Sequence, residues 1–126
     1  MPPTWWQPEQ LADALDLGVA GIAELGGAAE GDKTMLDAFL PAMRAFRIVA
    51  VTDDLASAAQ CAYDGAKAGA EATSVLVGRK GRSSYLGDRG IGHPDAGATA
   101  SVLLFGALLD AVNNPIEFDI DGNPRE

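Results

Sequence analysis

An Ala-rich stretch from Thr52 to Val77 constrains this chain more than any other feature. The positions on its inward helical face, Leu55, Ala59, Ala62, Ala66, Gly69 and Thr73, are mostly small. A small face lets a neighbouring helix axis approach closely, so the stretch predicts a compact antiparallel bundle rather than a helix lying on a sheet. The flanking segments repeat the helical period. Leu11, Leu15, Gly18, Ile22 and Leu25 recur at steps of three and four. Pro8 and Glu9 suit the first turn of that helix, and Gly26 and Gly27 suit its end. Leu36, Leu40, Met43 and Phe46 mark a second helix from about Thr34, capped by Asp32 or Thr34, with Pro41 expected to kink or divide it. The Ala-rich helix starts at Thr52 or Asp53, and a further helix begins near Pro94 or Asp95 with Ala98, Val102, Phe105, Leu109 and Val112. The expected fold class is therefore all-α, in one domain over residues 1–126. Residues 116–121 alternate at period two, which fits a short strand or an extended arm.

With 48% hydrophobic and 21% charged residues the chain is too apolar for disorder, and 6% aromatic content agrees with small-residue packing. A formal charge of −9 repels nucleic-acid phosphates and anionic lipid surfaces, so neither nucleic acid nor membrane is expected as a partner. Cys61 is the single cysteine and has no internal disulfide partner; packing is its expected role. No signal segment and no apolar run of spanning length is expected, and the cytoplasm is the default location.

Charge is unevenly placed. Four of the nine cations, Arg79, Lys80, Arg82 and Arg89, fall within residues 79–89 beside one acid, Asp88. The loop from Gly78 to His93 also holds five glycines, which admit close backbone approach, and the following helix offers free N–H groups at Ala96 and Gly97. Two readings remain open from the residues alone: a site for a small polyanion, or a solvated basic loop. A second Gly-rich connection, Gly26 to Met35, lacks the Gly-Lys-Thr/Ser order of a Walker loop because Asp32 separates Gly31 from Lys33. By itself it reads as a helix–helix turn.

Gly31-Asp32-Lys33-Thr34-Met35-Leu36-Asp37 with Pro41, then Gly78 to Arg82, Ser84-Tyr85-Leu86-Gly87, Ile91-Gly92-His93, Asp95 and Gly97-Ala98-Thr99, resemble the nucleotide-binding L domain of dihydroxyacetone kinases. The resemblance covers about residues 11–112 and leaves 113–126 as a divergent tail. It implies part of an antiparallel eight-helix barrel holding ADP or ATP at one end. It also implies a K subunit that carries the hydroxyketone and, where ADP is retained, a phosphohistidine carrier that recharges it. By this resemblance Gly26 and Met35 border the nucleotide, Arg82 is directed at its phosphates, and Asp95, Ala96 and Gly97 form the contacting turn. The family's Mg2+ site, an aspartate-rich loop followed by a second Gly-rich loop, has no counterpart here, so a separately encoded N-terminal half is expected to supply it. The alternative is a non-catalytic fragment that binds nucleotide weakly or a protein partner. Asp53 and Asp54 are expected to cap a helix. Asp119 to Asn123 only faintly resembles a calcium loop, and no metal or catalytic residue is assigned. His93 is expected to serve in structural hydrogen bonding, and Trp5 and Trp6 to cover a helix end or an exposed edge.

Overall fold

The computed structural model describes residues 7–52 and 54–125, with the side chain of Arg82 outside that description. Four helices run through it: α1, Pro8–Gly26; α2, Leu36–Ala50; α3, Leu55–Ala72; and α4, Ala96–Asn113. A 3-10 turn, Thr73–Val75, extends α3, and two more, Arg82–Tyr85 and Gly87–Gly90, structure the long connection to α4. The described residues are thus all-helical, as the sequence predicts. Their one β feature is an isolated bridge between Phe118 and Pro124. That bridge closes a tight turn in the tail, where a strand or arm was expected. The Asp119 carboxylate accepts from the Asp121 and Asn123 N–H groups inside the turn, and the Asn123 bond chiefly holds its pKa below the usual carboxylate range.

The helix ends follow local chemistry. Pro8 opens α1, and Gly27 closes it at φ +61°, a left-handed conformation that glycine adopts without strain. Asp54 caps α3 by accepting from Ser57 N at 2.8 Å. The expected partner in that role, Asp53, lies outside the described residues, as do Trp5 and Trp6. Met35 occupies the cap position of α2. Thr34 Oγ1 still accepts from Leu36 N, whereas the Asp32 carboxylate turns back to Ala29 N. Thr34 therefore shares the work, and Asp32 ties the preceding loop instead of capping the helix.

At the centre of the fold α2 packs on α3, with α4 against α3 and α1 against α2. Ala58, Ala59, Ala62, Ala66 and Ala70 of α3 are all buried, so its small face is wider than the sequence period indicated. Opposite them, α2 buries Ala38, Ala42, Met43 and Phe46. Phe39 of α2 meets Phe105 of α4 edge to face, with ring centroids 5.4 Å apart. Pro41 neither ends nor divides α2. Its missing N–H leaves the Asp37 carbonyl without its usual partner four residues on, and that carbonyl faces Gly69. A Cβ at Gly69 would lie 2.1 Å from this oxygen, and one at Gly65 would lie 3.0 Å from the Pro41 oxygen. Bare glycine is what permits the approach.

Contrary to the expectation that no apolar run of spanning length exists, α4 is 18 residues long and apolar enough to cross a membrane by length and composition. In the bundle its Ala98, Ser101 and Phe105 face is buried, while Leu103 and Leu104 face outward. On α1, Leu17 and Leu25 are likewise exposed. Both edge helices carry uncovered leucines.

The α2–α3 contact gives a paired prediction. Gly69→Ala should destabilise the chain by about 2 kcal/mol or more, because backbone rather than a pliable side chain blocks the new methyl. Gly21→Ala on α1, with open space around it, should stabilise by roughly 0.5–1 kcal/mol. Urea unfolding of the two variants checks both signs, and equal midpoints would contradict the close contact.

Candidate functional site

Three segments converge at one end of the bundle: the residues before α2, the glycine-rich connection, and the start of α4. Between them lies a cleft of about 350 Å³ lined by Lys33, Thr34, Met35, Gly81, Ser83, Asp95, Ala96 and Gly97. The size falls at the small end of the range for ligand pockets. Four of the six residues singled out by sequence, Met35, Asp95, Ala96 and Gly97, therefore line one cavity. Gly26 stands apart, exposed in the last turn of α1 and absent from the lining. Arg82 opens the 3-10 turn at the cleft's edge, between the lining residues Gly81 and Ser83; its side chain lies outside the described residues.

Asp95 fixes the start of α4. Its Oδ2 accepts from Ala98 N at 2.8 Å, its other oxygen accepts from the Ser83 hydroxyl, and its own N–H donates to Thr73 Oγ1 at 2.8 Å. Thr73 is fully buried and donates in turn to Ala70 O, so the turn that opens α4 is anchored to the end of α3. The first N–H groups of a helix have no acceptor within it, and here those of Ala96 and Gly97 belong to residues lining the cleft at the positive end of the α4 dipole. Gly97 is also a spacing device. A Cβ there would sit 3.1 Å from Asp95 Oδ2 and 3.6 Å from Met35 N.

Behind Lys33, Thr34 and Met35, Asp37 lies in the first turn of α2 and is buried. Its carboxylate accepts from Gly31 N at 2.6 Å and Thr34 N at 3.0 Å, which folds the connection back onto the helix. Glu30 and Arg44 add a two-pronged surface pair at 2.8 and 3.0 Å. The hydrogen bond from Arg44 holds the Glu30 carboxyl below its ordinary range, so this strap contributes at neutral pH and is lost as pH falls through that lowered value.

Lys33 is the residue that sequence reasoning missed. It is 2% exposed, adopts φ +63° and donates from Nζ to Leu76 O at 3.0 Å and Gly90 O at 2.6 Å. Backbone bonds reinforce it: Arg79 N donates to Asp32 O, and Gly92 N donates to Ser74 O. The glycine-rich connection is thereby pinned at both ends. Ser83, also unassigned from sequence, reaches the cleft because Gly78 lets the chain fold tightly: a Cβ there would lie 2.5 Å from Ser83 backbone atoms. His93, expected in structural hydrogen bonding, is exposed, and its imidazole makes no hydrogen bond with a described residue. Burial keeps Lys33 from being recognised in sequence, because lysine is rarely inside.

A larger cavity, about 620 Å³, opens at the other end between the start of α3 and the tail. It is lined by Asp54 and Glu117 and by no cation, so it lacks the chemistry for an anion. Among the described residues no three His, Cys, Asp or Glu side chains are grouped as a metal site requires.

Comparison with known proteins places the sequence in a family. The family model described as the DAK2 domain matches residues 4–110. A PEP-dependent dihydroxyacetone kinase 1 ADP-binding subunit DhaL from Listeria innocua is 40% identical over 101 residues, covering 80% of this chain and 46% of that protein. The corresponding Escherichia coli ADP-binding subunit is 36% identical over 101 residues, covering 79% and 48%. A D-erythrulose kinase from Mycolicibacterium smegmatis is 45% identical over 103 residues, covering 81% of this chain and 17% of its own length. The chain spans about half the length of the ADP-binding subunits it matches. With a match running from before α1 to within the last turns of α4, the chain belongs to the DAK2 domain family.

Proposed function

We propose that this chain forms one face of the nucleotide site of a dihydroxyacetone-kinase-like phosphotransferase, with ADP or ATP in the cleft between α2 and α4. The observation that carries the reading is the meeting of Met35, Asp95, Ala96 and Gly97 around one cavity, beside the cationic glycine-rich connection. Met35, 41% exposed, offers an apolar surface to a base, and the Ala96 and Gly97 N–H groups offer donors to phosphate oxygens. Arg82 supplies charge to the same phosphates. Gly26 enters the reading through the family resemblance alone. A K subunit presents the hydroxyketone, and a phosphohistidine carrier recharges ADP if ATP is not the direct donor.

The carboxylates near the cleft do not fit a Mg2+ ion. Both Asp95 oxygens and both Asp37 oxygens are already committed to hydroxyl or backbone donors. By the family resemblance, an aspartate-bearing half would supply the Mg2+ ligands that these residues do not. The alternative, a fragment that docks on another protein, draws support from the uncovered leucines on α1 and α4.

Calorimetry with ADP tests the site. Arg82→Ala and Gly97→Val should each weaken binding about tenfold or more, the first by removing charge-assisted bonds and the second by filling the cleft. Lys67→Ala, which removes only an ammonium lying over the Tyr63 ring, should bind as the unaltered chain does. Equal affinities across the three variants would move the nucleotide elsewhere. In a coupled assay with K subunit, phosphoryl donor and magnesium, the chain alone should give no transfer to dihydroxyacetone, and a co-expressed aspartate-bearing half should restore it. Turnover by the chain alone would show that its own acids suffice.

A further inference from the structure

We propose that Lys33 is the fixed positive charge that makes this cleft select phosphate-bearing ligands, and that its two hydrogen bonds position the glycine-rich connection around them. The proposal deepens the nucleotide reading and rests on it for the ligand's identity, though not for its charge. A buried ammonium carries a large desolvation penalty unless it is paired. No carboxylate of a described residue lies within ion-pair distance of Lys33. The nearby acids are satisfied otherwise, Asp37 by two backbone amides and Asp95 by the α4 cap and Ser83.

An ammonium has three N–H donors. Leu76 O and Gly90 O take two, and no described residue accepts the third. Tethering two carbonyls needs only a neutral donor, so the charge itself calls for another use. Position supplies that use. Lys33 lines the main cleft and also an adjoining cavity of about 170 Å³, which shares Ser83 and Ala96 with it. A phosphate at this common wall would meet the ammonium and the positive end of α4 together, in surroundings where charge is poorly screened. The strained backbone at Lys33 agrees with a residue held in place for its side chain, since positive φ is unfavourable for lysine.

The test compares the full chain with Lys33→Gln, which keeps a donor and loses the charge, and Lys33→Met, which loses both. Ligands are inorganic pyrophosphate, ADP and adenosine, read by calorimetry. Lys33→Gln should weaken pyrophosphate and ADP about tenfold or more and leave adenosine unchanged. Equal weakening of all three would reduce Lys33 to a structural tether, and unchanged pyrophosphate affinity would overturn the proposal outright. Since either variant risks misfolding, nitrogen-15 NMR of the unaltered chain supplies a second readout. The Lys33 Nζ resonance should shift on adding pyrophosphate and not on adding adenosine; a resonance unmoved at saturating pyrophosphate would overturn the assignment. Binding of pyrophosphate without ADP would remove the nucleotide reading and leave Lys33 in its role. No binding of pyrophosphate would overturn the Lys33 proposal, with ADP and adenosine then judging the nucleotide reading by themselves.

Discussion

The approach of Gly69 to the Asp37 carbonyl sets the geometry from which the rest of the structure follows. Proline at position 41 frees that carbonyl from its helical partner, and glycine at 69 removes the only atom that would hold it off. With the two backbones this close, alanines suffice to fill the space between α2 and α3, and few large side chains are needed. The contact also fixes the first turn of α2. Asp37 sits in that turn, and its carboxylate folds the preceding connection into the shape that carries Lys33, Thr34 and Met35 to the cleft.

Charge is managed differently inside and outside. On the surface, Arg47 pairs with Asp13 and Asp16 and joins α2 to α1, while Arg44 pairs with Glu30. Exposed pairs of this kind contribute little and are screened by salt. Near the cleft, Asp37, Asp95 and Lys33 are buried and answered by hydrogen bonds of fixed geometry. Such groups are costly to strand, so they hold the walls of the cleft more stiffly than surface ion pairs hold α1.

Much of this was legible in the amino-acid sequence, for identifiable reasons. Helical periodicity and the Gly26-Gly27 pair located α1 closely, and Asp95 announced the start of α4 as capping residues do. The basic glycine-rich connection showed itself by charge density. The full width of the α3 face was hidden because alanine and glycine carry little periodic contrast, so Ala58, Gly65 and Ala70 looked no different from exposed neighbours. Pro41 misled in the ordinary way: local chemistry argues for a break, and packing against α3 overrides it. The spanning-length apolarity of α4 escaped notice because small residues dilute its leucines. Lys33 was hidden most deeply. Its partners lie 43 and 57 positions away, and nothing in its neighbourhood distinguishes a buried lysine from a solvated one.

Those same separations bear on the order of events when the chain folds. Helices α1, α2 and α3 can each form from nearby residues, but Lys33 finds its acceptors only after two long loops of chain have closed, at an entropic cost that local structure cannot offset in advance. The cleft is thus a product of tertiary assembly and not of any one helix. A chain in which only the separate helices have formed has no such cleft, because its lining comes from three segments brought together.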